Sequence, residues 1–257
     1  MKFNQKNAQI GENVKLGLNV RIGDNTAIYD NVITDDNTII CNDCVLGEPS
    51  NKYYYDNNYI NPTTLIGKNS LIRSHCIIYS GSTYGDNLIT GHRATIRENM
   101  KVGSDCLLST LVDIQGNGNI GNYTRIYSSV HICEFSTIGN FVFIYPYTIF
   151  TNDRRPPSNI YQGPKIGDYS IIAVHCSILP SVDIGKNCLI GANSVVNKNV
   201  KDFSFIAGSP AKFISDIRDI KSFEHEGSQY PWMNNFKRGM PWEKSIYDEW
   251  LNNSDKQ

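Results

Sequence analysis

Along most of this chain every sixth residue is aliphatic, and this period restricts the possible folds more than any other feature of the sequence. Residues 10–46, 66–150 and 166–196 contain 28 such positions, of which 24 are Ile, Leu or Val. An arbitrary position would be aliphatic only about a quarter of the time. A period of six matches neither the helical turn nor the two-residue repeat of a strand. It predicts coils of three short strands, with three hexads in each coil.

The residues between the aliphatic positions fit the corners of such a coil. Four positions after many of the aliphatic residues stands a small residue. Gly, Asn or Asp often lies between the aliphatic residue and this small residue. The aliphatic side chain would fill the interior, and Gly, Asn and Asp tolerate the positive φ of a tight corner. Single coils cannot bury their apolar faces, so they stack about 4.8 Å apart. We therefore expect an all-β chain, a parallel β-helix of about nine coils made from the 28 hexads.

The seven cysteines contain no Cys-x-x-Cys pair, so neither a zinc ribbon nor a thioredoxin-like motif is indicated. Five of them occupy the small interior position, where cysteine packs as a compact hydrophobe. These five are Cys44, Cys76, Cys106, Cys176 and Cys188. Cys41 and Cys133 fall elsewhere, without the features that make a reactive thiolate. We expect reduced thiols that serve packing.

Charge and hydropathy exclude several classes of partner. The 24 basic and 25 acidic residues give a net charge of −1, and no run of five like charges occurs, which argues against nucleic-acid binding. The apolar runs are far shorter than the roughly 20 residues of a membrane-spanning helix. The first residues lack the apolar core of a signal peptide, so we expect a cytoplasmic protein.

Two insertions and a tail interrupt the hexads. Residues 47–65 would replace a coil's worth of hexads with a stretch rich in tyrosine, and residues 151–165, which include Arg154 and Arg155, are ten longer than a hexad allows. Long loops on a rigid scaffold commonly bind ligands. We expect a β-helix domain over residues 1–214 and a tail over 215–257. In this tail Pro241 would begin a short helix that ends at Leu251.

Polar residues eighteen apart should lie one above another on neighbouring coils. Asp113 and His131 have this spacing, and each precedes an interior aliphatic residue, so both side chains would point outward. A carboxylate that orients a histidine and stabilises its charge suits a general base. Glu134 and Asn152 are also eighteen apart, with Asp153 adjacent at the start of the second insertion. We expect a site on this edge; the alternative is that these groups only bond corner backbone or a neighbouring subunit.

The hexads, closed by the segment Ala-Gly-Ser-Pro-Ala-Lys at residues 207–212, resemble the left-handed β-helix acyltransferases over roughly residues 10–214. That resemblance implies a left-handed coil and a homotrimer that binds acyl-CoA between adjacent subunits. The segments RSHCIIY, GHRATIRE, SSVHICEFSTIG and FTNDRRPPS are similar to those of N-acetyltransferases of dTDP-linked 3-amino-3,6-dideoxyhexoses. The tail segments YPWMNNF and RGMPW are similar to that subgroup as well.

This resemblance implies an acetyl-CoA-dependent enzyme that acetylates the 3-amino group of the sugar nucleotide for a bacterial surface glycan. The expected catalytic residues are His131, Glu134, Asn152 and Asp153. The residues expected to bind the nucleotide sugar are Arg73, His75, His92, Arg93, Arg97 and Glu98; the alternative for this group is ion pairing between subunits. The residues expected near acetyl-CoA are Ala173, Ala192, Asn197, Lys198 and Lys212. We expect no metal, nucleic acid or membrane as a partner.

The expected reaction needs little acid–base help. A sugar amine has a pKa near that of an α-amino group, so reaching its neutral form near pH 7 costs only about 1 kcal/mol. The thioester is already activated, and the departing CoA sulfur can accept the proton. We therefore expect Glu134, Asn152 and Asp153 to hold the amino sugar, while His131 is dispensable as a base.

Three other interpretations compete with this one. A γ-type carbonic anhydrase shares the coil but needs three zinc-binding histidines, and the five histidines here include no close pair on one strand. They are His75, His92, His131, His175 and His225. A non-catalytic scaffold would keep the hexads but has no need of stacked polar pairs. An O-acetyltransferase of a sugar or serine hydroxyl would make His131 indispensable, because a hydroxyl must lose its proton during attack.

Overall fold

The computed structural model describes residues 3–223 and 226–254, and in these ranges the chain is a parallel β-helix that follows the predicted hexads. Each of the 28 hexad positions lies in its own strand, β1 to β28. One later strand, β29, joins the same stack, and β30 folds back on it as an antiparallel hairpin. The predicted fold class is confirmed, with slightly more coils than the hexads alone give.

The strands are numbered in chain order. Before the first insertion they are β1 (Gln9–Ile10), β2 (Lys15–Leu16), β3 (Arg21–Ile22), β4 (Ala27–Ile28), β5 (Val32–Thr34), β6 (Ile39–Ile40) and β7 (Val45–Glu48). Between the insertions they are β8 (Thr64–Ile66), β9 (Leu71–Ile72), β10 (Ile77–Tyr79), β11 (Thr83–Tyr84), β12 (Ile89–Thr90), β13 (Thr95–Ile96), β14 (Lys101–Val102), β15 (Leu107–Leu108), β16 (Asp113–Ile114), β17 (Asn119–Ile120), β18 (Arg125–Ile126), β19 (His131–Ile132), β20 (Thr137–Ile138), β21 (Phe143–Ile144) and β22 (Ile149–Phe150). After the second insertion they are β23 (Lys165–Ile166), β24 (Ile171–Ile172), β25 (Ser177–Ile178), β26 (Asp183–Ile184), β27 (Leu189–Ile190), β28 (Val195–Val196), β29 (Ser204–Gly208) and β30 (Ala211–Asp216).

Every third strand belongs to the same sheet, so the coil has three faces. In the described residues sheet A runs from β1 to β28 with ten strands, sheet B from β2 to β26 with nine, and sheet C from β3 to β30 with eleven. Three rows of corners join these faces, and we call them the A–B edge, the B–C edge and the C–A edge. A residue's place in its coil therefore decides on which edge it lies.

The interior of the coil is a continuous apolar column. Side chains such as Ile72, Ile126 and Ile190 are fully buried, and each contributes about 1.5–3 kcal/mol relative to exposure. The third residue after most interior positions has a φ between about +50° and +65°, as at Asn25 and Asn87. Asparagine suits these corners because its short polar side chain tolerates the left-handed conformation better than most residues do.

Both insertions extend a single corner rather than replace a coil. Strand β8 pairs directly with β5, through Val32 opposite Thr64, so no coil is missing around residues 47–65. The expectation that this stretch replaces a coil was wrong, because the chain returns to the same corner from which it left. The insertion contains a 3₁₀ turn at Asn51–Tyr54. In the second insertion, Asp153 and Tyr161 form an antiparallel bridge.

The tail packs its aromatic side chains on the B–C edge and on sheet C. It contains 3₁₀ turns at Ile217–Asp219 and Trp232–Asn234 and the helix α1 (Tyr247–Ser254). The stacked rings of Tyr123, Phe141 and Tyr169 contact this tail. Trp242 is fully buried there, and its ring nitrogen donates to the Phe236 carbonyl. The prediction that the helix begins at Pro241 was wrong, because the chain makes a turn around Trp242 before the helix starts.

The longest apolar segments are the short strands and turns already described. No helix in residues 3–223 and 226–254 has the length and apolar character needed to cross a membrane.

Candidate functional site

Both insertions leave the β-helix at the A–B edge, five coils apart, after β7 and after β22. The corners between them carry Arg97, Gln115, Asn117 and Glu134. This stretch of the edge, bounded by two projecting loops, is the candidate site. It carries charged and amide side chains besides one asparagine pair, in which Asn99 donates to Asn117 at 3.0 Å.

His131 lies directly above Asp113, because strands β19 and β16 pair with these two residues in register. Nδ1 of His131 is 2.9 Å from Oδ2 of Asp113. The side-chain amide of Gln115 donates to both oxygens of Asp113, at 2.9 Å each. The eighteen-residue spacing thus brings together the two residues that the sequence paired, and the structure adds Gln115 as a second donor to the same carboxylate.

The protonation of this pair follows from its hydrogen bonds. The bond from His131 holds the pKa of Asp113 below its ordinary value, and the bond from Gln115 contributes in the same direction. Asp113 is therefore an ionised carboxylate at neutral pH and accepts hydrogen bonds only, so Nδ1 of His131 carries the proton. In the neutral ring Nε2 then has a free lone pair, and no described residue hydrogen-bonds to it. The ring can accept a proton from a substrate group placed beside Nε2.

Glu134 and Asn152 lie on the same edge, one coil apart, without a hydrogen bond between them in the described structure. Oε1 of Glu134 instead accepts a bond of 3.0 Å from the side-chain amide of Asn117, on the coil below. The backbone carbonyl of Asn152 accepts from the Gln162 amide at 2.8 Å. The side chains of Glu134 and Asn152 are therefore placed near each other by the coil, and each remains able to contact a ligand.

Asp153 has a different environment from the other predicted residues. Its Oδ1 accepts from the Arg155 backbone amide at 3.0 Å and from the Ser158 hydroxyl at 2.8 Å, and its Oδ2 accepts from the Ser158 amide at 2.7 Å. Burial alone would raise the pKa of Asp153, but these hydrogen bonds from Ser158 and Arg155 outweigh it and lower the pKa. The carboxylate organises the second insertion, and most of its hydrogen-bonding capacity is used in doing so.

Arg97 and Glu98 form a two-pronged ion pair at the same edge. Nε and Nη2 of Arg97 are 2.9 and 3.0 Å from the two carboxylate oxygens of Glu98. Burial would raise the pKa of Glu98, but the hydrogen bond from Arg97 overrides it and lowers the pKa. The guanidinium also lies over the ring of Tyr79, 5.1 Å from its centre. Arg97 is therefore held in one orientation beside the first insertion.

The other residues predicted to bind the nucleotide sugar lie on a different edge. Arg73 and His75 follow β9, and His92 and Arg93 follow β12, so all four are at the C–A edge and exposed. Within one chain these four residues therefore do not form a single cluster with Arg97 and Glu98. Sheet A separates the two groups, because residues close in sequence leave a coil at successive corners rather than at the same one.

The residues predicted to contact acetyl-CoA also lie in two separate places. Ala173 and Ala192 lie at the C–A edge, and the Ala173 amide already donates to the Ile190 carbonyl at 2.9 Å. Asn197 and Lys198 lie beyond β28, where they line a groove of about 510 Å³ together with Phe213 of the terminal hairpin. Lys212 is exposed on that hairpin, opposite Ala207.

The sequence did not single out Gln115, Asn117 or Tyr79. Gln115 follows Asp113 by two residues, and side chains at this spacing on an extended chain share a face. That relation could have identified Gln115. The contacts of Asn117 and Tyr79 depend on corner geometry, which the hexad pattern leaves undefined.

The cysteines have the environment that the pattern predicted. The five in the small position are buried, and Cys133 is buried as well. Burial raises the pKa of Cys44 to about 12 and those of Cys106 and Cys133 to about 11. These thiols are protonated near neutral pH and do not provide a nucleophile.

The histidines do not converge on a metal site in the part of the chain that the structure describes. No group of three His, Cys, Asp or Glu side chains there is close enough to hold an ion. His225 lies outside the described residues.

Residues 163–198 match the family described as bacterial transferase hexapeptide (six repeats). A probable acetyltransferase of Mycobacterium tuberculosis is 29% identical over 133 residues, which are 51% of this chain and 40% of that protein. A serine acetyltransferase of Staphylococcus aureus is 34% identical over 98 residues, which are 37% of this chain and 45% of that protein. The chain thus spans less than half the length of these curated relatives.

Two solved structures share the fold. The UDP-N-acetylglucosamine acyltransferase of Arabidopsis has a TM-score of 0.67 and 17% identity, covering 84% of this chain and 74% of that one. The UDP-N-acetylglucosamine O-acyltransferase of Moraxella catarrhalis has a TM-score of 0.58 and 20% identity, covering 74% and 72%. At these identities the likeness shows the fold alone.

Proposed function

We propose that this chain, whose repeats are those of the hexapeptide transferases, is an acetyl-CoA-dependent N-acetyltransferase. Its substrate would be a dTDP-linked 3-amino-3,6-dideoxyhexose, acetylated at the 3-amino group in the cytoplasm for a bacterial surface glycan. The coarse part of this proposal, acyl transfer, draws on the repeats and on the relatives. The finer part, an amine as acceptor, draws on the charge of the A–B edge.

The observation that carries the choice of an amine is an excess of negative charge. Asp113 and Glu134 accept hydrogen bonds from the uncharged amides of Gln115 and Asn117 and have no arginine or lysine partner in the described structure, while the guanidinium of Arg97 is paired with Glu98. At this part of the A–B edge the four carboxylates of Glu98, Asp113, Glu134 and Asp153 outnumber the guanidinium groups of Arg97, Arg154 and Arg155 by one in the described structure. A sugar ammonium is attracted to such a site, whereas a neutral hydroxyl gains nothing comparable.

The proposed binding mode holds the amine between Glu134 and Asn152. The amine arrives charged, loses a proton at a cost of about 1 kcal/mol, and attacks the thioester carbonyl. Nε2 of His131 lies on the same face and can receive that proton, although the departing thiolate also can. Positioning rather than proton transfer would then provide most of the rate enhancement.

The nucleotide is proposed to lie toward the first insertion. Tyr53, Tyr54 and Tyr59 pack edge to face there, and the guanidinium of Arg97, paired with Glu98, lies over the ring of Tyr79 beside them. Aromatic faces bind nucleobases by stacking, typically for about 1–3 kcal/mol per base. From the coil of Tyr79 to that of Glu134 is three steps of about 4.8 Å, a span that suits a nucleotide sugar.

Acetyl-CoA is proposed to approach from the C-terminal side. Ala192 is exposed, and its backbone amide has no partner among the described residues. Lys198 and Lys212 place positive charge near the terminal groove. We also propose a homotrimer in which the cofactor lies between subunits, with residues 1–214 as the catalytic β-helix and residues 215–257 as a bracing tail.

One observation favours a second candidate, an O-acetyltransferase. The Asp113–His131 pair with Nε2 unoccupied is the arrangement by which a hydroxyl is deprotonated. A hydroxyl nucleophile would need this base, so His131 would then be essential.

The decisive assay incubates the protein with acetyl-CoA and pairs of dTDP- and UDP-sugars that differ only in carrying an amino or a hydroxyl group at C3. Release of free thiol is followed. We expect release with the amino sugar of a pair and none with its hydroxy counterpart. Release only with hydroxyl acceptors would establish the second candidate, and no release with any acceptor would reject both.

A further inference from the structure

The second insertion presents two arginines without partners. Arg154 and Arg155 are exposed, and neither guanidinium makes a hydrogen bond, an ion pair or a ring contact within the described residues. Arg73, Arg93 and Arg238 are likewise exposed without a described guanidinium partner, but Arg154 and Arg155 stand next to each other in the chain and line one pocket together.

The loop that carries these arginines is internally organised. Three hydrogen bonds converge on the Asp153 carboxylate from Arg155 and Ser158, as described above. The bridge between Asp153 and Tyr161 closes the loop at its base. Because the backbone on both sides of Arg154 is fixed in this way, the guanidinium groups are presented from a defined position.

The two arginines line one pocket of about 310 Å³ at the A–B edge. Its other walls include Asn152 and Ser158, and Ser181 on the following coil. The two guanidinium groups and the side-chain amide of Asn152 supply donors that a phosphate group requires, whereas the hydroxyls of Ser158 and Ser181 already donate to Asp153 and Gln162. The coil of Ser181 is two steps from that of Glu134, or roughly 10 Å along the edge.

We propose that Arg154 and Arg155 form a phosphate-binding site for one of the two substrates. This inference rests on the proposed function, since both acetyl-CoA and a sugar nucleotide carry phosphate groups. The pocket lies on the C-terminal side of Glu134, opposite the first insertion, which makes the phosphates of CoA the better match. In this arrangement Asp153 is a positioning residue that orders the loop and does not itself hold the amine.

The test compares equilibrium binding of CoA, 3′-dephospho-CoA and dTDP, measured by calorimetry without turnover. The variant Arg154→Gln/Arg155→Gln is matched with Lys15→Gln/Arg238→Gln, which removes the same charge from exposed positions elsewhere. We expect the first variant to weaken one phosphate ligand about tenfold or more and the control to change it less than twofold. Loss of CoA binding assigns the site to the cofactor, and loss of dTDP binding assigns it to the nucleotide sugar.

A second variant keeps the test valid if the double variant misfolds. Arg154→Gln alone removes one guanidinium and leaves the hydrogen bonds to Asp153 from Arg155 and Ser158 in place, so it should weaken the same ligand by a smaller factor. Equal affinities of the wild-type protein and the arginine variant for both CoA and dTDP would overturn the phosphate site while leaving the proposed function intact. Binding of neither ligand by the wild-type protein would overturn both.

Discussion

The A–B edge and the B–C edge use the same corner geometry but differ in how they satisfy their charged groups. On the B–C edge the side chains bond one another from coil to coil: Asn19 donates to Asn37 at 3.1 Å, and Asn87 donates to Asp105 at 3.0 Å. On the A–B edge Asn99 likewise donates to Asn117 at 3.0 Å, but the carboxylates of Asp113 and Glu134 accept bonds from neutral amides, and two arginines of the second insertion have no described partner. A ladder that satisfies itself needs no ligand, whereas unbalanced charge does.

The two edges also differ in what covers them. Farther along the B–C edge, Tyr123, Phe141 and Tyr169 replace the asparagines, and the C-terminal tail packs over their rings. The corresponding corners of the A–B edge carry Phe135 and Ser181, which line open pockets. We infer that the B–C edge maintains the fold and that the A–B edge binds substrates.

The largest expected difference between the edges is in how much a corner side chain contributes to the free energy of unfolding. Phe141 and Phe135 both occupy left-handed corners, with φ of +57° and +65°, but Phe141 is 6% exposed and Phe135 is 46% exposed. Phe141→Ala should lower the free energy of unfolding by about 3–5 kcal/mol, because it empties a packed aromatic site. Phe135→Ala, the matched control, should cost less than about 1 kcal/mol. Urea titration of both variants measures this, and equal losses would contradict a structural role confined to the B–C edge.

The next effect is on binding of the amine. Glu134→Gln keeps the shape of the side chain and removes its charge, so it should raise KM for the amino sugar about 10- to 100-fold with a smaller change in kcat. Asn140→Ala at the B–C edge serves as the control, since Asn140 bonds only coil neighbours. Steady-state kinetics with varied sugar measures both. An unchanged KM for Glu134→Gln would remove Glu134 from the site.

A smaller effect is expected on the chemical step. His131→Asn should lower kcat tenfold or less, because the amine needs little help to lose its proton. If His131 were an obligatory base, the loss would be about 10²–10⁴-fold. A loss above a hundredfold with KM unchanged would contradict the positioning mechanism and favour the O-acetyl alternative.

The smallest effect concerns Asp113 and pH. A carboxyl whose pKa is lower in the folded state stabilises the fold above its unfolded pKa of about 3.9, and this contribution disappears as the pH falls through the folded value. Because the pair that Asp113 forms with His131 is partly exposed, Asp113→Asn should lower the free energy of unfolding at pH 7 by no more than about 1 kcal/mol. The difference in the free energy of unfolding between this variant and the wild-type protein should become smaller below about pH 4. Unfolding at several pH values tests this, and a difference that grows on acidification would refute the assignment.

The hexad pattern predicts the fold because the coil interior selects an aliphatic residue at every sixth position regardless of what the corners do. The same spacing predicts Asp113 beneath His131, since strands eighteen residues apart pair in register. Both predictions need only the six-residue period and the three strands of each coil.

The repeat does not predict what happens where it is interrupted. The bonds from Ser158 to Asp153 lie inside an insertion with no periodicity, and the turn around Trp242 follows from packing on distant rings. The division of Arg73 and Arg97 between two edges was predictable, because counting hexads in threes assigns each corner to its edge.

The contrast between the edges is tested most directly by hydrogen–deuterium exchange of the wild-type protein with and without CoA and a dTDP-amino sugar. We expect the ligands to slow exchange of backbone amides in residues 115–118, 133–136 and 151–163, on the A–B edge. Exchange in residues 121–123, 139–141 and 167–169, on the B–C edge, should stay unchanged. Protection that appears on the B–C edge while the A–B edge is unaffected would contradict the assignment of the substrate site.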